Sequence, residues 1–386
     1  MDAASPPRTL RRLTVIVALQ WMGATLGLPL LPLFLEHRGG SPHVIGLIMS
    51  AFFVAGVATQ YALGHASDRF GRRPILVGAL VAYGLASMTF ALPVTALWFT
   101  GSRLIQGAAA GALEVTALSA VAALYPETER GRAVARILSA QLLGVAIGPL
   151  AGALTTVANL GWVFVATGVA SLLAAFVATR LDLGGPVSTT GPLVKVSWSP
   201  RLIGSLVAAG ATGLTIGVYE ACWTLLMNSH HATTLEIRLS WTLFSIPWLV
   251  LSRLGGWLAD HANRRVIALA GLWNGAIFLA LYPHIHNNVV MIFVGSLESI
   301  GAAASVPAIA SLLTQGAHPD EMGRRQGLSA TSQTLALALS AGTSGFLFTR
   351  SPALPFTLVA VISVLMSTTT LWWWRHTPGH IRDAAA

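Results

Sequence analysis

Charge is scarce in this chain. Only 10% of the 386 residues are Asp, Glu, Lys or Arg, where soluble domains carry about a quarter, so a soluble globular protein is excluded. Lys195 is the one lysine, and no G-x-x-x-x-G-K-[ST] phosphate loop occurs. Any energetic work must therefore draw on an ion gradient or on another subunit. The single cysteine, Cys222, excludes an intrachain disulfide and a multi-cysteine metal site; it is expected to pack as a small apolar residue. H-E-x-x-H and G-x-S-x-G are missing too. Neither an enzyme nor a metal or other cofactor is expected.

Apolar length is abundant: 54% of the residues are hydrophobic. Stretches long enough to cross a bilayer, about 20 residues each, fall near 13–35, 44–64, 75–93, 97–124, 134–157, 161–179, 202–227, 239–259, 266–283, 288–314, 326–348 and 354–374. They predict an all-α integral membrane protein with twelve transmembrane helices, six in each of two bundles. The Gly- and Pro-rich stretch 181–200 reads as a cytoplasmic linker between bundles at 1–180 and 201–386.

Two loops support the division. Gly64-His65-Ala66-Ser67-Asp68-Arg69-Phe70-Gly71-Arg72-Arg73 and Gly256-Trp257-Leu258-Ala259-Asp260-His261-Ala262-Asn263-Arg264-Arg265 share glycine, aspartate and paired arginines at one offset, 192 positions. Gly131-Arg132 and Gly323-Arg324 repeat at the same spacing. Similarity at a fixed period marks a duplicated unit.

The net charge of +9 invites a nucleic-acid partner, but its placement argues otherwise. With the N-terminus inside, the cytoplasmic loops and termini hold most of the arginines, including Arg8, Arg11, Arg12, Arg69, Arg72, Arg73, Arg264 and Arg265; the external loops hold only Arg38, Arg238 and Arg350. That asymmetry follows the positive-inside rule. It predicts a cell (inner) membrane protein with both termini cytoplasmic, and the partners expected are the bilayer, protons and a small molecule, with no nucleic acid. A monomer is expected.

The loop at 64–73 resembles the G-x-x-x-D-R-x-G-R-R signature of the major facilitator superfamily between its second and third spans, and the resemblance extends over essentially the whole chain. It implies secondary transport by two bundles rocking about a central cavity. Gly64, Asp68, Arg69, Gly71, Arg72 and Arg73, with Asp260, Arg264 and Arg265, would form cytoplasmic latches. Arg103, followed by Leu104, Ile105, Gln106 and Gly107, is similar to the family's R-x-x-x-G element in the fourth span. In the fifth, Gly144, Gly148, Pro149 and Gly152 resemble the G-x-x-x-G-P-x-x-G-G element associated with antiporters, with Ala153 in place of the last glycine. Glycines at i, i+4 and i+8 give a smooth helix face for close packing.

Acids inside spans are costly and mark functional sites. Glu114 lies about 20° around the helix from Arg103 and about 16 Å along it, so the two share a side without pairing. Glu220 and Glu298 sit in the seventh and tenth spans, and Glu298 is 192 positions after Gln106. Glu114, Glu220, Glu298 and Arg103 are the candidates for proton coupling. Gln20, Trp21, Gln106, Tyr219 and Trp223 are the candidates for substrate contact, the tyrosine and tryptophan through stacking or cation–π contact. The proline-bearing first span resembles that of drug/proton antiporters, yet its only acid is Glu36 at the outer edge. Trp372–Trp374 reads as an interfacial anchor. The expected function is proton-coupled efflux of small amphipathic or lipophilic compounds such as drugs. Export of sugars or other metabolites, and translocation of lipids or lysolipids, are the alternatives.

Overall fold

The computed structural model describes residues 6–125, 127–152, 155–183, 196–315 and 321–375. Among them are twelve long helices: α1 Pro6–Leu26, α2 Pro42–Phe70, α3 Arg72–Met88, α4 Phe99–Leu124, α5 Glu127–Ala151, α6 Leu160–Ala178, α7 Pro200–Val218, α8 Thr234–His261, α9 Arg264–Leu281, α10 Asn288–Thr314, α11 Met322–Arg350 and α12 Ala353–Trp374. Proline opens α1, α2 and α7, where a missing N–H costs nothing. Ser199 caps α7 by accepting from Leu202 N, and Thr233 with Glu236 forms a capping box on α8.

By length and composition, ten helices can cross a membrane among the described residues. The two remaining expected spans, α8 and α11, are 28 and 29 residues long but more polar. Glu236, Arg238, Ser240 and Thr242 lie along α8, and α11 carries Ser329, Thr331, Ser332 and Gln333. Some of these groups hydrogen-bond inside the bundle: Ser332 Oγ donates to Leu206 O at 2.9 Å.

The chain divides into two compact units, Met1–Gly40 with Ala51–Gly191 and Ser41–Ser50 with Pro192–Ala386. In the first, α1 packs on α5 and α6, and α3 on α4 and α6, around Leu13, Val17, Leu76, Leu80, Leu113 and Val121. In the second, α7 packs on α11 and α12, α8 on α10, and α9 on α10 and α12. Trp374 is fully buried in that second core, with Nε1 3.4 Å from Arg201 O, while Trp372 is exposed. The expected anchor is thus reduced to part of its run. Successive helical residues turn by about 100°, so three in a row cannot share one lipid-facing side.

Candidate functional site

Two interruptions of helical regularity shape the bundles. In the first span, a 3₁₀ turn at Leu28–Leu30 separates α1 from the short helix Leu31–His37, with Pro29 and Pro32 buried. In the seventh, a π-helical turn, Tyr219–Trp223, follows α7 before the chain continues as Thr224–Ser229. π-Turns inside helices recur at functional sites because the extra residue redirects side chains.

That turn aims Tyr219 at Glu298 of α10. Tyr219 Oη donates to Glu298 Oε1 at 2.8 Å, and Tyr282 Oη donates to Oε2 at 2.6 Å. Asn274 Nδ2 donates to the Glu298 backbone carbonyl at 3.1 Å, tying α9 to the same turn of α10. Trp223 stands edge-on to Tyr219 and Tyr282, at 5.7 and 4.7 Å between centroids, and its Nε1 donates to Ser240 Oγ at 2.8 Å. Glu298 is 4% exposed and has no ion-pair partner among the described residues. Glu220, on the same π-turn, is half-buried.

The first unit's polar centre is built differently. Arg103 is buried on α4, its guanidinium 4.4 Å from the centre of the Phe52 ring and its Nη1 donating to Gln106 Oε1 at 3.3 Å. Gln106 Nε2 donates to Ser87 Oγ at 2.9 Å. Gln20, on α1, accepts from Ser171 Oγ at 2.9 Å, and Ser171 Oγ also lies 2.8 Å from Leu80 O. Trp21 is half-buried against the same bundle. Glu114 is half-buried further along α4 and is not brought to Arg103.

Gly144, Gly148 and Gly152 of α5 face α1. A methyl added to Gly144 would meet Ala18 O at 2.5 Å, one on Gly148 would meet Thr25 Oγ1 and Met22 O, and one on Gly152 would meet Leu26 O. Pro149 is buried inside α5. Thr25 Oγ1 donates to Gly144 O at 3.3 Å across this contact.

At the loop signatures, Gly71 takes φ +93°, a left-handed conformation open to glycine, and turns the chain into α3. Arg72 is buried and its Nη1 donates to Leu183 O at 3.4 Å, while Arg69 and Arg73 are exposed. In the second unit Asn263 caps α9 by accepting from Arg265 N. Arg264 Nη1 donates to Ser311 Oγ at 2.9 Å, and Arg265 Nη1 donates to Trp374 O at 3.0 Å and Arg375 O at 3.3 Å. The surroundings of Gly64, the side chains of Asp68 and Asp260, and all of Ala153 lie outside the described residues.

A model of the Major Facilitator Superfamily matches residues 13–219 and 202–386. The chain belongs to this superfamily. It is a multi-span membrane protein. A chloramphenicol resistance protein of Pseudomonas aeruginosa is 31% identical over 238 residues, 61% of this chain and 52% of that protein. A triacylglyceride transporter of Mycobacteroides abscessus is 38% identical over 107 residues, 28% of this chain and 21% of that one. The chain thus spans about half the length of the first relative and about a fifth of the second. Multidrug resistance protein 2 of Bacillus subtilis is 22% identical with 92% of each chain covered. Among solved structures, a D-xylose-proton symporter superposes with a TM-score of 0.79 at 16% identity, covering 97% of this chain and 99% of that one; at that identity the likeness concerns the fold.

Sequence reasoning singled out Glu298, Tyr219, Trp223 and Glu220 separately and missed Tyr282, Asn274 and Ser240. A signal for Tyr282 existed, because it lies 192 positions after Phe90. The Glu321–Arg325 pair was missed as well. Arg325 Nη2 stands 3.0 Å from Glu321 Oε2, its Nη1 donates to Leu313 O at 3.3 Å, and Nη2 also donates to Ser197 Oγ at 3.2 Å. Its i,i+4 spacing was the available clue.

Proposed function

We propose that this superfamily member exports small amphipathic or lipophilic compounds, drugs among them, in exchange for protons across the inner membrane, with both termini cytoplasmic. The observation that carries the reading is Glu298, buried in α10 with both carboxylate oxygens accepting from tyrosines and no cation beside it among the described residues. A lone carboxylate at membrane depth is relieved either by a proton or by a cationic ligand. Proton and substrate then compete for one place, which is the logic of exchange. Tyr219, half-buried beside it, and Trp223, packed edge-on against Tyr219, would make cation–π or stacking contact with the substrate. Glu220 and Glu114 are secondary proton carriers in this reading, Arg103 holds Gln106, and Gln20 and Trp21 contribute on the α1 side.

The relatives named for chloramphenicol and multidrug resistance support the substrate class. The tight α1–α5 contact through Gly144, Gly148 and Gly152 supports exchange, being the antiporter element of the resemblance. Alternating access would be controlled at the loop signatures, with Asp68 and Asp260 as latches and Arg72, Arg264 and Arg265 fixing the ends they grip. The triacylglyceride transporter relative favours a second reading, lipid translocation on the same machinery.

The test is proteoliposomes loaded with a pH dye and challenged with lipophilic cations, sugars and lysolipids. A cation-triggered proton flux that Glu298→Gln abolishes supports the proposal. Lipid or sugar movement without proton flux, unchanged in Glu114→Gln, Glu220→Gln and Glu298→Gln, overturns it.

A further inference from the structure

We infer that the cleft between α1 and α6 of the first unit binds an anionic phospholipid. The cleft has a volume of about 550 Å³. Three guanidinium-bearing residues, Arg8, Arg11 and Arg12, line it together at the N-terminal end of α1, all exposed, and no acidic residue lines it among the described residues. Beyond them the walls are purely apolar. Val15 and Leu19 on α1 face Leu173 and Val177 on α6, and these side chains are 50%, 49%, 62% and 42% exposed. Ala170 and Ala174 line the same cleft with side chains short enough to leave it open.

The dimensions suit one molecule. From Arg8 to Leu19 is eleven residues of helix, about 16 Å along the axis, close to the depth of one leaflet's hydrocarbon, about 15 Å. A phosphodiester headgroup would meet the arginines, which offer planar, forked donors matched to phosphate oxygens, and an acyl chain would follow the apolar walls inward. Basic clefts between spans at the membrane surface are recognised sites for anionic headgroups. Charge and apolar depth in one continuous groove set this apart from arginines that only fix topology, which need no groove beneath them. The occupant is a membrane lipid of the leaflet at the N-terminal end of α1, since the apolar depth has no use for free phosphate. The inference stands independently of what the protein exports.

Native mass spectrometry of the full chain in detergent, with phosphatidylglycerol or phosphatidylcholine added at equal concentration, tests it. Wild type should retain phosphatidylglycerol at least about tenfold better than phosphatidylcholine, a ratio that three charges near a surface readily supply. Inorganic phosphate should leave that retention unchanged. The triple variant Arg8→Gln/Arg11→Gln/Arg12→Gln should erase the preference. Because those arginines also orient the chain, Ala170→Trp provides the second test: it fills the cleft, keeps every charge and should lose the bound lipid while the protein stays folded. Equal retention of the two lipids, displacement by inorganic phosphate, or an Ala170→Trp protein that holds phosphatidylglycerol as well as wild type would overturn the assignment.

Discussion

Gln106 and Glu298 hold equivalent places in the two repeats, 192 positions apart, and their surroundings have diverged in step with them. Gln106 lies among groups that complete a neutral amide: Arg103 donates to its oxygen and Ser87 accepts from its nitrogen. Glu298 takes two tyrosine hydroxyls. Position 282 is a tyrosine where its counterpart, Phe90, is stacked among phenylalanines, 4.6 Å from Phe99 and 4.4 Å from Phe164. One hydroxyl separates an apolar plug from a carboxylate anchor. A duplicated scaffold can therefore hold its helices alike while keeping a titratable group in one copy alone.

The helix contacts diverged by exchange. In the first unit Thr25 of α1 presses on Gly148 of α5; at the matching positions Gly217 of α7 receives Ser340 of α11. The small residue has changed sides and the close approach remains. Ser340 Oγ donates to Leu214 O at 2.7 Å, much as Thr25 Oγ1 donates to Gly144 O.

The sharpest way to break the comparison is Glu298→Gln, which makes the second centre resemble the first. Substrate-driven proton flux in vesicles should fall by about two orders of magnitude, in the range of losing a positioned acid or base. The reciprocal Gln106→Glu added to it should fail to restore flux, because Phe90 offers no hydroxyl. Next in size is Gly148→Val, which pushes into Thr25 and Met22 and should destabilise the first unit by about 1–3 kcal/mol, read as a lowered thermal midpoint. Thr25→Gly combined with Gly148→Ser copies the second unit's arrangement and should recover most of that loss; no recovery would mean that the two contacts are not interchangeable. Tyr282→Phe should slow flux about tenfold, the worth of one hydrogen bond to a charged group, with binding of uncharged ligands retained.

The smallest effect concerns acid. Burial alone would raise the Glu321 carboxyl, but the hydrogen bonds from Arg325 and Ser197 outweigh it and hold the group below its ordinary value. A depressed folded-state value adds stability that is present above the ordinary carboxylate range and is lost as pH falls through the lowered one. Thermal midpoints from pH 6 down to pH 3 should therefore converge between wild type and Glu321→Gln at the acid end, with wild type the more stable near pH 6.

The duplication was legible because charged loop residues are rare enough in this chain for their spacing to stand out. The α5 glycine face was legible for a similar reason, since i, i+4, i+8 spacing encodes a helical stripe directly. Its counterpart was legible only as small residues, Ala336, Ser340, Ala341 and Ser344, because there the glycines moved to α7, as Gly213 and Gly217. The π-turn was hidden as well. No local propensity announces a switch to i→i+5 bonding, and without it Tyr219 and Trp223 read as neighbours one turn apart with no target. Trp374 was misread because its run of tryptophans dominated the composition while helical rotation decided which ring goes inward.

Arg72 grips the carbonyl of Leu183 and Arg265 grips those of Trp374 and Arg375, and Leu183 and Arg375 are again 192 positions apart. In each unit, then, the start of its third long helix is buckled to the chain leaving its sixth, so each bundle fastens its own tail. A protease nick anywhere between Leu183 and Ser197 would cut neither buckle, and the two halves of this chain are good candidates for expression as separate polypeptides.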